Sequence, residues 1–174
     1  MAPIVLQLQI LTATRPGEVV GARWDEFDLE NMSWIVPGER MKAGKPHRIP
    51  LSPEAAELLK TVPRNGDYVF PGVREKSMTT AAPLKVLKAL RPGVTAHGFR
   101  STFRDWAADM TSFPREVAEQ ALAHSLPDKT EAAYRRTDLF AKRALLMAEW
   151  ARYCHSPSKN ASISVLAGRR PSQR

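Results

Sequence analysis

The sequence predicts a mainly α fold with one small antiparallel β-sheet, an α+β arrangement. Two observations carry this. Apolar residues recur at helical spacing, as in Phe99, Phe103, Trp106 and Met110 and again in Phe140, Ala144, Met147, Ala151 and Cys154, each set a stripe down one side of a helix. One stretch alternates with period two instead: Met32, Trp34 and Val36, followed by two basic arms around Ala43-Gly44, the pattern of a strand and a hairpin.

Taken in order, Ile4 to Leu11 is an apolar run that reads as a helix ending near Thr12–Thr14. Thr14-Arg15-Pro16-Gly17-Glu18 reads as the start of a second helix, with Thr14 as cap, an early proline and an acid in the first turn. It should end before Trp24-Asp25. Arg40-Met41-Lys42 and His47-Arg48-Ile49-Pro50-Leu51 form the arms of the predicted hairpin, and Pro50 puts its arm at a sheet edge. Ser52-Pro53-Glu54 opens a helix to about Leu59. Asn65-Gly66-Asp67 is a turn before the short extended piece Tyr68-Val69-Phe70, which Pro71-Gly72 stops. Thr79–Leu90, His97–Met110, Pro114–Ala123, Asp128–Arg136 and Asp138–Tyr153 read as helices.

Composition narrows the class. With 174 residues, 43 % apolar and 25 % charged, the chain can build one packed domain, read here as residues 1–154. No run approaches the ~18 apolar residues of a membrane span. The first ten residues lack the basic flank of a signal peptide. Cys154 is the one cysteine, so no intrachain disulfide forms and a reducing, intracellular setting is the default. Scattered His and Cys do not make a zinc finger.

The formal charge is +8, which suits an acidic partner such as nucleic acid, or else is solvated surface. Its distribution matters more than its size. Residues 155–174 hold Lys159, Arg169, Arg170 and Arg174 with no acid, plus five Ser and two Pro. They read as a disordered basic tail carrying half of the charge.

Several residues could carry chemistry. His97, Arg100 and Arg104 share a helix face beside the apolar stripe. A guanidinium fork and an imidazole suit an anionic substrate, although a solvated face explains them too. Arg15 sits at a helix N-terminus, where the dipole is already positive; either it shares an anion with that end or it pairs with Glu18. Arg40, Lys42, Lys45, His47 and Arg48 crowd the hairpin, which could lie along a DNA groove or simply face water. His124 closes a helix, where a cation is stabilising in itself. Ten residues on, Tyr134 is flanked by Arg135 and Arg136, and a phenol can attack phosphorus if basic groups activate it.

The ordered set Arg, Lys, His-x-x-Arg, His, Tyr over some 120 residues resembles the catalytic domain of the tyrosine recombinases, the phage-integrase family. Thr14-Arg15-Pro16-Gly17-Glu18 matches the first-arginine box. Lys42 and Ile49-Pro50-Leu51 match the hairpin, His97-Gly98-Phe99-Arg100 the second box, Leu122-Ala123-His124 the third and Tyr134 the nucleophile. Trp24-Asp25-Glu26-Phe27-Asp28 and Arg40-Met41-Lys42 are similar to integrases of temperate phages and genomic islands. The resemblance covers about residues 5–153.

It implies cleavage and rejoining of double-stranded DNA through a 3′-phosphotyrosine on Tyr134. Arg15 and Arg100 hold the phosphate oxygens, Lys42 (or Lys45) protonates the leaving 5′-oxygen, His97 assists Tyr134 or binds phosphate, and His124 donates to it. Arg40, Lys45, Arg48, Arg104, Arg135 and Arg136 are the expected flanking DNA contacts. The covalent link conserves the ester energy, so neither metal nor nucleotide nor other small-molecule cofactor is expected, and no membrane. Self-association in a recombination synapse and a bacterial or phage-encoded, cytoplasmic, nucleoid-associated setting are implied as well. Two departures stand out. Ala123 replaces the usual Gly of the third box, and the chain begins at the catalytic domain, without the N-terminal clamp that family members usually carry. A truncated fragment that binds DNA without recombining it is therefore the alternative. A metal-dependent nuclease is weaker, because there is no carboxylate cluster.

Overall fold

The computed structural model describes residues 1–73, 76–124 and 138–156. The predicted helix at 128–136, with Tyr134, Arg135 and Arg136, lies outside the described residues, as does nearly all of the predicted tail.

Helix α1 (Ala2–Thr12) sits at the centre because it is apolar on every side. Val5, Leu8 and Leu11 pack into one cluster with the sheet, while Leu6 meets Leu87 and Ala96, and Ile10 borders the aromatic cluster. It ends on Ala13 in the left-handed region, φ 51°, which turns the chain sharply toward α2 (Pro16–Val20). The cap of α2 differs from expectation. Its N-cap is Arg15 rather than Thr14. Thr14 is buried, and its hydroxyl is 2.8 Å from that of Thr12.

A three-stranded antiparallel sheet follows, β1 (Phe27–Asp28), β2 (Ser33–Val36) and β3 (His47–Pro50), in the order β1-β2-β3. Its register pairs Phe27 with Trp34, Trp34 with Ile49 and Val36 with His47. Trp34 is fully buried, stacked on Phe27 at 5.0 Å. Pro50 does lie in an edge strand, where its missing N–H breaks no ladder.

The hairpin is built differently from its prediction. β3 pairs with β2, and Arg40-Met41-Lys42 is not a strand. Gly38–Arg40 forms a short 3₁₀ turn and Met41 is buried, so this arm is pulled into the fold and cannot form a ladder. The connection doubles back so tightly that a Cβ on Gly38 would stand 2.7 Å from the carbonyl oxygen of Gly44.

Helix α3 (Pro53–Lys60) is capped by Ser52, whose Oγ accepts from the Ala55 N–H at 3.2 Å. Helices α4 (Ala81–Leu90), α5 (Gly98–Met110), α6 (Arg115–Ala121) and α7 (Phe140–His155) complete the described chain. α5, α6 and α7 enclose an aromatic cluster in which Phe103, Trp106 and Trp150 stand 5.1–6.1 Å apart. Trp150 Nε1 donates to the Ile10 carbonyl at 2.7 Å, locking α7 to α1. Two predicted stripes shift at their ends. Met110 is 69 % exposed, and Cys154 is exposed too. The buried face of α7 is Arg143, Leu146, Met147, Trp150 and Ala151, which packs within the chain.

Candidate active site

Arg100 is the centre of the site. It lies in the first turn of α5 and is 4 % exposed. Nη1 donates to the carbonyl of Ala13, and Nη2 donates to that of Leu122 at 2.6 Å. Nη2 is also 3.3 Å from His124 Nε2. One planar fork thus joins the end of α1, just before Arg15, to the end of α6, just before His124. Burial, with Arg15 nearby, brings its pKa down to about 10, against a rise from Glu18. It therefore stays cationic at neutral pH.

Arg15 is held by Glu18, which is 4 % exposed. The Arg15 backbone N–H and Nη1 each donate to a Glu18 oxygen at 2.9 Å. The pairing with Glu18 is therefore present. It returns the helix acid to the N-cap, as the acid of a capping box does, and leaves the guanidinium partly exposed.

Arg40 stands behind this corner. Its Nη1 donates to the Glu18 carbonyl at 3.0 Å, and its Nη2 donates to Glu26, which also accepts from Trp34 Nε1 at 2.9 Å. Burial raises the Glu26 pKa, against the pull of Trp34 and Arg40. The guanidinium of Arg40 is occupied inside the fold rather than offered to a phosphate.

His124 is presented by a Schellman turn. The His124 N–H donates to the Glu119 carbonyl at 3.0 Å and the Ala123 N–H to that of Gln120 at 3.0 Å, while Ala123 takes φ 49°. This 6→1 and 5→2 pair is the usual way to stop a helix on a left-handed residue. It explains why glycine is expected at this position: Ala123 holds a conformation that glycine adopts without strain. The turn folds His124 back over α6, so its Nδ1 meets Glu119 Oε2 at 2.7 Å.

The other predicted residues are more peripheral. His97 is exposed at the N-terminus of α5, one turn before Arg100. Lys42 and Lys45 are exposed on the β2–β3 connection. The Arg48 guanidinium lies 3.7 Å over the Phe140 ring. Arg104 Nε donates to Glu119 Oε1 at 2.7 Å. Among the described residues no three His, Cys, Asp or Glu side chains are grouped to hold a metal. No described helix is long and apolar enough to cross a membrane.

The structure adds Glu119 beside His124 to the set read from sequence, and gives defined surroundings to two residues named there: Glu18, a buried ligand of Arg15, and His47. His47 Nε2 is 3.3 Å from the Ala121 carbonyl. Burial and Arg143 bring its pKa down to about 4, with Glu18 and Arg100 close enough to act on it in opposite directions. The neutral ring therefore donates to Ala121. The five-residue spacing of Glu119 and His124 across a helix end was the signal for one of these. His47 had only its place in a basic cluster.

The chain is similar in sequence and fold to several known proteins. The model of the phage integrase family matches residues 2–139. Prophage integrase IntA of Escherichia coli K12 is 37 % identical over 152 residues, covering 82 % of this chain and 36 % of the relative. The integrase of enterobacteria phage P4 is 30 % identical over 188 residues, covering 95 % and 43 %. The chain thus spans about two fifths of the length of these relatives. The integrase of mycobacterium phage Brujita superposes with a TM-score of 0.63 at 20 % identity, over 91 % of this chain and 54 % of that one. A lambda integrase dimer bound to a COC' core site gives 0.52 at 20 %, over 79 % and 52 %. These structures share the fold. With the family model spanning most of its length, this chain belongs to the phage integrase family.

Proposed function

We propose that residues 1–154 are the catalytic domain of a site-specific DNA recombinase that supports integration or excision of a mobile element. The observation that carries this is the Arg100 fork, buried between Ala13 and Leu122, which holds Arg15 and His124 on either side of one cationic centre. Such a preorganised centre is suited to the charge that builds on a phosphate in its pentavalent state.

In this reading the Tyr134 oxygen attacks the scissile phosphorus and forms a 3′-phosphotyrosine. The 5′-oxygen leaves and takes a proton from Lys42, with Lys45 the alternative donor. His97 receives the phenolic proton or binds the phosphate. Arg15, Arg100 and His124 hold the non-bridging oxygens. Reversal of the step rejoins the strand, so the ester energy is never lost and no nucleotide is needed. Lys45, Arg48, Arg104, Arg135 and Arg136 flank the path of the DNA, and these contacts position it without choosing its sequence. Arg40 serves from behind, through Glu18. Self-association on DNA and action in the bacterial cytoplasm complete the proposal.

The test is a library of nicked suicide duplexes screened for an SDS-resistant adduct. The chain should form one and Tyr134→Phe should not; an adduct with the Phe variant would overturn the assignment of Tyr134. The second reading is a domain that binds DNA without turnover. It predicts salt-sensitive binding with no adduct on any duplex.

A further inference from the structure

Among the described residues, Glu119 is the most densely engaged carboxylate near the site, and no step above uses it. It lies in the last turn of α6 and its side chain is 13 % exposed. Oε2 meets His124 Nδ1 at 2.7 Å; Oε1 accepts from Arg104 Nε at 2.7 Å and lies 3.6 Å from Arg115. Burial raises the Glu119 pKa, but hydrogen bonds from His124 and Arg104 outweigh it and hold the carboxyl below its usual range.

The partners on both sides of the His124 ring determine where its proton sits. An ionised carboxylate only accepts, so Nδ1 carries the hydrogen. A guanidinium only donates, so Nε2, 3.3 Å from Arg100 Nη2, is the acceptor. Two independent neighbours thus require the same tautomer. The geometry follows from the backbone. The Schellman bond from the His124 N–H to the Glu119 carbonyl brings these two residues together, and the Glu119 carboxylate reaches Nδ1.

We propose that Glu119 is a positioning residue that fixes His124 as its Nδ1–H tautomer, so that Nε2 is the nitrogen directed at Arg100 and at an arriving phosphate. This rests on the reading of His124 as a phosphate ligand. When a phosphate oxygen replaces Arg100 at Nε2, the ring gains one proton from solvent at that nitrogen, keeps it, and donates a hydrogen bond through it to that oxygen. Glu119 balances the new charge across the ring, and the Arg100 Nη2–H turns to the same phosphate. The arrangement follows the logic of carboxylates that orient metal-binding histidines, where the outer partner sets the ligand's tautomer and direction.

The experiment is long-range ¹H–¹⁵N spectroscopy of the histidine rings in the ¹⁵N-labelled chain, above neutral pH, with His124 identified by the signals missing from His124→Asn. The wild type should show a protonated Nδ1 and an unprotonated Nε2 at His124. Glu119→Ala should move the ring toward a mixture of tautomers. Glu119→Gln, whose amide oxygen can still accept, should restore the wild-type pattern. Arg104→Ala, which removes the hydrogen bond to Glu119 Oε1, should also leave the pattern in place. A wild-type His124 protonated at Nε2, or a pattern unchanged in Glu119→Ala, overturns the proposal. The wild-type result decides even if Glu119→Ala does not fold. Titration with inorganic phosphate then separates this inference from the function it rests on. The His124 signals should move on binding, with affinity about tenfold weaker in Glu119→Ala. Phosphate that binds both proteins equally overturns the positioning role. Phosphate that leaves His124 unmoved in a wild type of the expected tautomer removes the phosphate reading and leaves the hold of Glu119 on the ring established.

Discussion

His47 donates from Nε2 to the carbonyl of Ala121 at 3.3 Å, and this bond ties the edge strand β3 to the helix end that presents His124. A neutral imidazole makes the link without adding another cation beside Arg100 and Arg143.

That link makes stability depend on pH. The His47 pKa is about 4 in the fold, lowered by burial and by Arg143, from an ordinary value of 6.5. The unfolded chain therefore binds a proton more readily than the folded one. The contribution of neutral His47 is complete above pH 6.5 and is lost as pH falls from there toward 4, by up to about 3 kcal/mol. Urea melts at pH 7.5 and 4.5 measure it. His47→Gln should show a smaller loss than the wild type between these values, and an equal loss would refute the prediction.

Arg100 should be irreplaceable by lysine. An ammonium cannot reach the Ala13 and Leu122 carbonyls in one plane and still face His124. Arg100→Lys should cost about 2–4 kcal/mol in a denaturant melt, because buried carbonyls and a displaced charge are left unmatched. It should also reduce adduct formation by at least about a hundredfold. Loss of adduct at unchanged stability would mean that the two carbonyl bonds carry little of the fold.

Ala123→Gly should stabilise the protein. At φ 49° the alanine Cβ is strained, and glycine removes that cost, so a gain of about 1 kcal/mol is expected. For a chain of this size it appears as a rise in Tm of roughly 2–4 °C. The Schellman bonds to Glu119 and Gln120 stay in place, so the presentation of His124 should not change.

How far the sequence reaches depends on the range of the interaction. Helices α3, α5 and α7 were legible because caps and apolar spacing are local. Pro50 announced its edge position for the same reason. The two-arm hairpin was misread because its outcome is decided by distant partners. Arg40 is drawn inward by Glu26 and by the carbonyl of Glu18, and Met41 is buried with it. The motif gave Arg15, Arg100 and His124, since residue type and order survive in one dimension. The roles of Glu119 and His47 were missed because their meaning lies in what they face: one is an acid five residues before a histidine, the other a histidine in a basic cluster. Their roles emerge only when a left-handed turn and a sheet edge bring them to the same helix end.

Arg40 and Lys45 lie five positions apart in one basic cluster, and they should separate cleanly. Arg40 is partly buried on Glu26, itself nearly inaccessible, so Arg40→Ala leaves a buried carboxylate without its cation. A loss of about 2–3 kcal/mol is expected, with the Glu18 corner and hence Arg15 loosened as a consequence. Glu26 already has a raised pKa through burial. Without Arg40 it should protonate more easily still, so the cost of the variant should shrink as pH is lowered. Lys45 is exposed, and Lys45→Ala should change stability by no more than about 0.5 kcal/mol. If it contacts a phosphate, its removal should lower the slope of log affinity against log salt by about 1 on duplex DNA. Fluorescence anisotropy across salt concentrations, run beside urea melts, distinguishes the two. A lowered salt slope for Arg40→Ala at wild-type stability would return Arg40 to the DNA-contacting face.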